Sequence, residues 1–99
     1  MKAVFLKAAL EELNAAVDFY EERREGLGRE FAQAVEQATG KALAHPRAWT
    51  SLSSRCRRIM LRRFPYGLVY QIRGDELLIV EVMHTSRRPG YWEARASGD

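Results

Sequence analysis

Two arginine-rich clusters in the second half of the chain hold most of the residues that could do chemistry. We call residues 55–66 the strand cluster and residues 84–95 the tail cluster. Guanidinium groups bind phosphates and carboxylates, but they keep their protons in proteins and cannot serve as general bases. A proton acceptor or donor would have to come from another side chain, such as His84, whose unperturbed pKa lies near neutrality. The clusters are therefore candidates for anion recognition first and for catalysis second.

Charge is unevenly distributed along the 99 residues, although the net charge is only +3. Eight acidic residues and three arginines lie between residues 11 and 36, whereas residues 47–73 contain seven arginines and no acid. A stretch of one sign attracts phosphates or acidic protein segments. The alternative is that these charges are solvated and only protect a strand edge from pairing. The density of arginine without compensating acid favours a binding role.

Composition indicates a folded protein with one domain over residues 1–99. The chain is 46% hydrophobic and 29% charged with both signs interspersed, which argues against disorder. One cysteine, Cys56, excludes an internal disulfide, and with two scattered histidines it gives no metal-ligand spacing. We therefore expect no cofactor and no metal. The chain lacks the apolar length of a signal peptide or membrane helix, so we expect no membrane association and a cytoplasmic location.

Hydrophobic periodicity predicts one strand and two helices before the clusters. Residues 2–6 contain a short apolar run that is typical of a strand. Apolar residues then recur every three or four positions over residues 8–20, and again over residues 27–42. This period predicts two amphipathic helices, which are joined by a short turn at Gly26 and end before Pro46. The two helices form a hairpin.

Three strands are predicted after a serine-rich loop. Residues 57–64, 68–73 and 77–83 show the alternation of strands, and the short turns between them require antiparallel neighbours. The predicted fold class is α+β. It has an N-terminal strand, a two-helix hairpin packed on an antiparallel sheet, and a three-stranded C-terminal meander.

Alternation along each strand assigns its side chains to the two faces of the sheet. In the first meander strand, Ile59 and Leu61 are predicted to meet the helices, which places Arg58 and Arg62 on the open face. The residues of the last strand predicted to meet the helices are Leu78, Val80 and Val82. The opposite face of that strand is also apolar, so we expect the C-terminal segment or a partner chain to cover it.

Two motifs stand in order within the second half of the chain. They are Arg62-Arg63-Phe64-Pro65-Tyr66-Gly67-Leu68-Val69-Tyr70 and His84-Thr85-Ser86-Arg87-Arg88-Pro89-Gly90-Tyr91-Trp92. Together with the order of elements, they resemble the RelE/ParE superfamily of toxins from bacterial type II toxin-antitoxin modules. The resemblance covers nearly the whole chain. It implies a compact toxin whose cognate antitoxin wraps the helices and the open sheet face, with a homodimer or a toxin-antitoxin hetero-oligomer as the assembly.

The branches of this superfamily imply different targets. ParE-like members bind DNA gyrase and are connected with plasmid stabilization, whereas RelE-like members cleave messenger RNA on the ribosome. In RelE-like nucleases the open sheet face carries several cations, and the tail adds an arginine and a tyrosine. Arg58 and Arg87 match this pattern, but Met60 and Gly67 stand where further cations are expected. The ParE-like branch is therefore favoured, and enzymatic activity is disfavoured.

Each branch gives a hypothesis about the site. The target-binding residues of a ParE-like toxin would be Arg58, Arg62, Arg63, Arg87, Arg88 and Tyr91. The catalytic candidates of a ribosome-dependent endoribonuclease would be Arg58, Arg62, His84, Arg87 and Tyr91. For His84 the alternative is a structural role at the end of the last strand, and Trp92 is expected to pack on the core. A third hypothesis is a non-toxic basic domain that only assembles with proteins or nucleic acid.

Overall fold

The computed structural model of the protein describes residues 1–87 and 92–97. Its elements are β1 Lys2–Phe5, α1 Lys7–Arg23, α2 Leu27–Ala44, β2 Thr50–Ser51, β3 Cys56–Met60, β4 Tyr66–Arg73, β5 Glu76–His84 and α3 Glu93–Ser97. This order confirms the predicted α+β class, the helical hairpin and the meander. The elements β2 and α3 were not predicted, because two and five residues are too few to show a period.

The five strands form one sheet in the order β1-β5-β4-β3-β2. The meander β3-β4-β5 is antiparallel as predicted, whereas β1 pairs in parallel with β5, so the sheet is mixed. Parallel pairing needs a long connection between the two strands, which the helices and the meander supply. Pairing with β1 extends along β5 only from Glu76 to Ile79. Beyond Ile79, the backbone on that edge of β5 therefore needs partners other than β1.

The turn between α1 and α2 is held by a carboxylate and two glycines. Gly26 adopts a left-handed conformation with φ 88°, which suits glycine. The backbone N–H groups of Gly26 and Gly28 donate to the carboxylate of Glu21, at 3.1 and 3.0 Å. A Cβ atom at Gly28 would lie 2.7 Å from the carbonyl oxygen of Val17. Glu21 therefore supplies the negative charge that the start of α2 favours, and Gly28 permits the helices to approach closely.

Hydrophobic clusters lie on both faces of the sheet. The helix-side cluster contains Phe31, Val35, Ile59, Leu61, Leu68, Tyr70, Leu77, Ile79 and Val82, among others. The cluster on the opposite face contains Cys56, Val69, Leu78, Val80, Trp92 and Ala96. The predicted inward positions of Ile59 and Leu61 are therefore confirmed. The second face is covered in part by the C-terminal segment through Trp92 and Ala96, and the prediction that Trp92 packs on the core is also confirmed.

The prediction that Leu78 and Val80 face the helices is wrong. Leu77 and Ile79 face them instead, followed by Val82. The register explains the change: Val69 lies opposite Glu81 and Tyr70 lies opposite Ile79, so Val80 is the extra residue of a β-bulge. An extra residue shifts the alternation of side chains by one position. A strict period of two therefore could not describe both halves of β5.

Candidate functional site

The strand cluster turns away from the sheet earlier than predicted. β3 ends at Met60, and the N–H of Leu61 donates to the carbonyl of Tyr66 at 2.9 Å, which closes a turn before β4. Within this turn Arg63 has a φ of 73°, a conformation that L-residues other than glycine rarely adopt. The predicted strand over residues 57–64 was therefore too long. Arg62 and Arg63 stand in the turn and not on the strand.

Arg62 and Arg63 line a cavity of about 190 Å³ beside α2, together with Phe64 and polar residues of that helix. Arg63 donates to the carboxylate of Glu30 at 2.8 Å, and Arg24 reaches the same carboxylate at 3.5 Å. Arg62 is exposed and forms no ion pair with the described residues. The prediction that Arg62 lies on the open sheet face is wrong, because β3 ends before it. Arg62 and Arg63 instead form an exposed cationic rim next to α2.

Arg58 is the residue of the cluster that does lie on the open face, beside Met60. Both side chains lean over Gly67 on the neighbouring strand: a Cβ atom there would lie 2.8 Å from the sulfur of Met60 and 3.3 Å from Cγ of Arg58. A basic side chain at Gly67 would therefore displace the thioether. The Nε atom of Arg58 is buried and has no hydrogen-bond partner among the described residues. At this point the face offers one guanidinium next to an apolar side chain.

The tail cluster, in contrast, is built around a fully buried carboxylate, Glu81, and a half-buried one, Glu12. Arg87 forms ion pairs with Glu12 of α1 and, at 2.8 Å, with Glu81 of β5, whose side chain is fully buried. Arg95 of α3 reaches Glu12 at 2.9 Å and the carbonyl of Val80 at 3.0 Å. Burying a charge without a partner would cost several kcal/mol, about 3–5 when one member of a buried pair is removed. This network therefore ties α1, β5 and the C-terminal segment together.

Glu12 and Arg95 also close the part of β5 that β1 leaves unpaired. The backbone N–H of Val82 donates to Glu12 at 3.0 Å, and Arg95 donates to the carbonyl of Val80. Burial by itself raises the pKa of the Glu12 carboxyl. The hydrogen bonds from Arg95, Arg87 and the Val82 N–H outweigh burial and bring this pKa below its ordinary value. Glu12 is therefore an ionised side chain that links α1 to the edge of β5 and to the C-terminal segment.

His84 is the last residue of β5, and its side chain contacts the turn that follows. Its Nδ1 atom accepts a hydrogen bond from the backbone N–H of Ser86 at 3.0 Å and lies 2.7 Å from the Ser86 hydroxyl. Its ring packs edge-on against Tyr66, with centroids 5.0 Å apart. Burial raises the pKa of the Tyr66 hydroxyl, so this phenol is poorly suited to act as a base near neutrality. These contacts match the structural alternative that the sequence left open for His84.

The structure places the catalytic candidates in three separate locations. His84 and Arg87 line a cavity of about 230 Å³ with Glu12, beside α1. Arg62 lines the cavity beside α2, and Arg58 lies on the open sheet face. The remaining predicted residues, Arg88 and Tyr91, lie outside the described residues. Among residues 1–87 and 92–97, His84 and Arg87 are therefore the catalytic candidates that share a cavity, and Arg58 and Arg62 lie apart from them.

Sequence reasoning missed Glu12 and Glu81, the two acids that determine what the tail cluster does. One signal was present for Glu81, because it is a single charge within an otherwise apolar strand. A charge in such a position is buried only with a partner, and an arginine six residues later is a natural candidate. Glu12 gave no such signal, since it looks like any charged residue of an amphipathic helix.

An apolar groove lies across the helical hairpin next to β1. It has a volume of about 410 Å³ and is lined by Phe5, Leu13, Ala32, Val35, Glu36, Thr39, Gly40 and Leu43. Apolar concavities on a helical surface accept apolar side chains from a partner. Two other features are absent from the part of the chain that the structure describes. No group of three potential metal ligands comes together, and no helix has the length and apolar character needed to cross a bilayer.

Comparison with known proteins places this arrangement in a family. Residues 3–89 match the family model described as the ParE toxin of the type II toxin-antitoxin system parDE. This chain belongs to the ParE toxin family. The predicted resemblance and the favoured branch are therefore confirmed, and the protein is a type II toxin by family.

A solved structure shares the fold of this ParE-family chain. It is described as a chromosomal ParDE TA system from P. aeruginosa, with 20% sequence identity and a TM-score of 0.65. The match covers 85% of this chain and 95% of the other. At this identity the likeness supports the fold alone. A search of curated proteins gave no significant match.

Proposed function

We propose that this ParE-family toxin arrests bacterial growth in the cytoplasm by binding DNA gyrase, and that a cognate antitoxin neutralises it. The family match over residues 3–89 carries the proposal. The open sheet face agrees with it, because Met60 covers Gly67 where a nuclease of this superfamily would need cations. A toxin that acts by binding needs an exposed, complementary surface rather than a proton relay. The strand cluster offers such a surface.

The proposed target contact is formed by Arg58 and the exposed cationic rim of Arg62 and Arg63, with Arg88 and Tyr91 added from the tail. Arginine and tyrosine carry much of the binding energy in protein interfaces. Arg87 belongs to the predicted target-binding residues, but its ion pairs with Glu12 and Glu81 indicate a structural role. We propose that Arg87 holds the tail in position and contributes little direct contact with the target.

We propose that the antitoxin covers the apolar groove of the helical hairpin. An apolar segment of the antitoxin would place side chains against Leu13 and Val35. Glu36 at the rim of the groove would form an ion pair with a basic side chain of the antitoxin. The complex would be a toxin-antitoxin hetero-oligomer, with a homodimer of the toxin as the alternative. Light scattering on the toxin alone and on the complex distinguishes these assemblies.

Two measurements test the proposed activity. Induction of the protein alone in a bacterial host is expected to stop growth, and co-expression of the neighbouring reading frame is expected to restore it. Purified toxin is expected to inhibit supercoiling of relaxed plasmid by gyrase. Normal growth with demonstrably folded protein would support instead the non-toxic basic domain, and growth arrest with unaffected supercoiling would exclude gyrase as the target.

Charge reversal on the exposed rim tests the proposed contact surface. Arg62→Glu is expected to raise the toxin concentration needed for half-inhibition of gyrase by about tenfold or more, the effect of losing one hot-spot contact. Arg29→Glu is the matched control, because Arg29 is exposed on α2 and lies outside the proposed surface. Equal inhibition by the wild type and by Arg62→Glu would place the target contact elsewhere.

A ribosome-dependent endoribonuclease is the second candidate, and the shared cavity of His84 and Arg87 favours it. In this alternative His84 would exchange a proton while arginines stabilise the charge of the transition state. Primer extension on cellular messenger RNA is the deciding measurement. Codon-phased cleavage that is lost in His84→Gln, together with normal supercoiling, would establish the nuclease and remove the gyrase proposal.

A further inference from the structure

A cavity at the β2 edge of the sheet is lined by arginine and serine side chains. The cavity has a volume of about 330 Å³ and is lined by residues from the loop after α2 and from β2, β3 and β4. None of the residues proposed for target binding lines it. Its volume lies within the range of small-molecule sites, roughly 300–1,000 Å³.

Three arginines line this cavity, and the described part of the chain adds no carboxylate to the lining. They are Arg47, Arg55 and Arg57. Arg57 is fixed in place, because its Nη1 donates to the carbonyl of Trp49 at 2.8 Å. Arg47 and Arg55 are exposed and form no ion pair with the described residues. Guanidinium groups that share a concave site without an acid create a field that favours an anion.

Two neutral residues, Ser53 and Gln71, are also among those that line the cavity. The Ser53 hydroxyl oxygen accepts the backbone N–H groups of Arg55 and Cys56, at 3.2 and 3.1 Å, which orders the loop before β3 at the edge of the cavity. Gln71 is only 4% exposed, and its amide nitrogen is buried without a hydrogen-bond partner among the described residues. Gln71 lies opposite Cys56 in the pairing of β3 with β4, so its side chain is on the face of the sheet that carries the cluster of Cys56 and Val69, and not on the face of Tyr70.

We infer that this cavity binds the phosphate monoester group of a small molecule. A phosphate monoester carries up to two negative charges and three acceptor oxygens, which match the three guanidinium groups that line the cavity. A carboxylate has one charge and two oxygens, and would leave more of these donors unpaired. A phosphodiester of nucleic acid carries one charge per group and follows an extended path, whereas this site is a compact cavity.

Titration of the nitrogen-labelled protein, followed by NMR, tests the inference. The probes are inorganic phosphate and adenosine 5′-monophosphate, with adenosine as the uncharged control, all at constant ionic strength. Saturable shifts of the backbone amides of Ser53 and Gln71 with inorganic phosphate would support a site for the phosphate group itself. Saturable shifts with the nucleotide alone would support a site for the phosphate of a nucleotide. The inference would be overturned if neither inorganic phosphate nor the nucleotide gave saturable shifts. It would also be overturned if a short DNA strand without terminal phosphates, added as a further probe, were the only ligand to give them.

Three variants distinguish binding in the cavity from general charge attraction. Arg47→Gln and Arg55→Gln are each expected to weaken phosphate binding about tenfold, because each removes a charge-assisted hydrogen bond. Arg29→Gln changes the net charge equally at an exposed position outside the cavity, and its phosphate affinity is expected to equal that of the wild type. Equal weakening by Arg29→Gln and by the two cavity variants would reduce the effect to net charge and overturn the inference.

Discussion

The strand cluster and the tail cluster have similar composition, but they lie in opposite electrostatic environments. In the tail cluster, Arg87 and Arg95 are paired with Glu12, and Arg87 also reaches the fully buried Glu81. In the strand cluster, Arg62 is exposed without an ion pair among the described residues, and Arg63 shares a single surface carboxylate, Glu30, with Arg24. Arg87 and Arg95 therefore hold the fold together, whereas Arg62 is available to a partner.

The difference shows that the function of an arginine depends on acids that are remote in sequence. Glu12 and Arg87 are separated by 75 positions, and Glu12 and Arg95 by 83. The acids that neutralise the tail cluster come from α1 and β5, and they reach it because the sheet brings the end of the chain back to the first helix. A count of charges along the sequence treats both clusters alike.

Loss of Arg87 is expected to have the largest effect on stability. Arg87→Ala leaves the buried Glu81 without its arginine and is expected to lower the free energy of unfolding by about 3 kcal/mol. Urea denaturation measures this change. Arg62→Ala, the matched substitution in the strand cluster, is expected to stay within about 0.5 kcal/mol of the wild type. Similar losses in the two variants would show that the clusters do not differ in the way described.

Neutralising Glu12 is expected to have the next largest effect. Glu12→Gln keeps the shape of the side chain but removes the charge that accepts hydrogen bonds from Arg87 and Arg95. We expect a loss of about 2 kcal/mol at neutral pH, the scale of hydrogen bonds to a charged group. Glu11→Gln, at a neighbouring exposed position of α1, is the control.

The stabilisation by Glu12 also gives a pH dependence. Its pKa is lower in the folded protein than the ordinary value of 4.5. The stabilisation is therefore complete above that value and is lost as the pH falls through the lower folded pKa. The free energy of unfolding of the wild type is expected to fall more steeply below pH 4.5 than that of Glu12→Gln. If the free energy of unfolding changed with pH in the same way in both proteins, the pKa of Glu12 would not be lowered by folding.

The sequence predicted the long helices and the meander strands, but neither the short elements β2 and α3 nor the contacts between elements. Period and turn residues predicted both long helices and the meander, because these signals are local. The bulge at Val80 and the early end of β3 at Met60 were missed, since both break a period that a single sequence suggests. The partners of Arg87 were missed for a different reason. Ion pairs across 75 positions depend on the completed sheet, and the residues alone do not specify which acid meets which arginine.

Arg63 allows a smaller test within the strand cluster. Its φ of 73° is costly for a residue with a Cβ atom, by about 1 kcal/mol or more. Arg63→Gly and Arg63→Ala both lose the contact with Glu30, so their difference isolates the backbone. Arg63→Gly is expected to be more stable than Arg63→Ala by about 1 kcal/mol in urea denaturation. Equal stability would mean that the turn does not hold this residue in a left-handed conformation.

The smallest expected effect is also the one that contrasts the two clusters most directly. Hydrogen bonding from Arg63 lowers the pKa of Glu30, so this acid is ionised at neutral pH and partly cancels the charge of the exposed rim. Glu30→Gln is expected to leave the fold intact, since this ion pair lies at the surface. It should make gyrase inhibition slightly stronger at low salt, and the gain should disappear at high salt, where surface charges are screened. We therefore expect opposite effects from the two acids: loss of the Glu12 charge next to the tail cluster weakens the fold, whereas loss of the Glu30 charge next to the strand cluster strengthens binding. Weaker inhibition by Glu30→Gln would mean that the target recognises the ion pair itself and not the positive field around it.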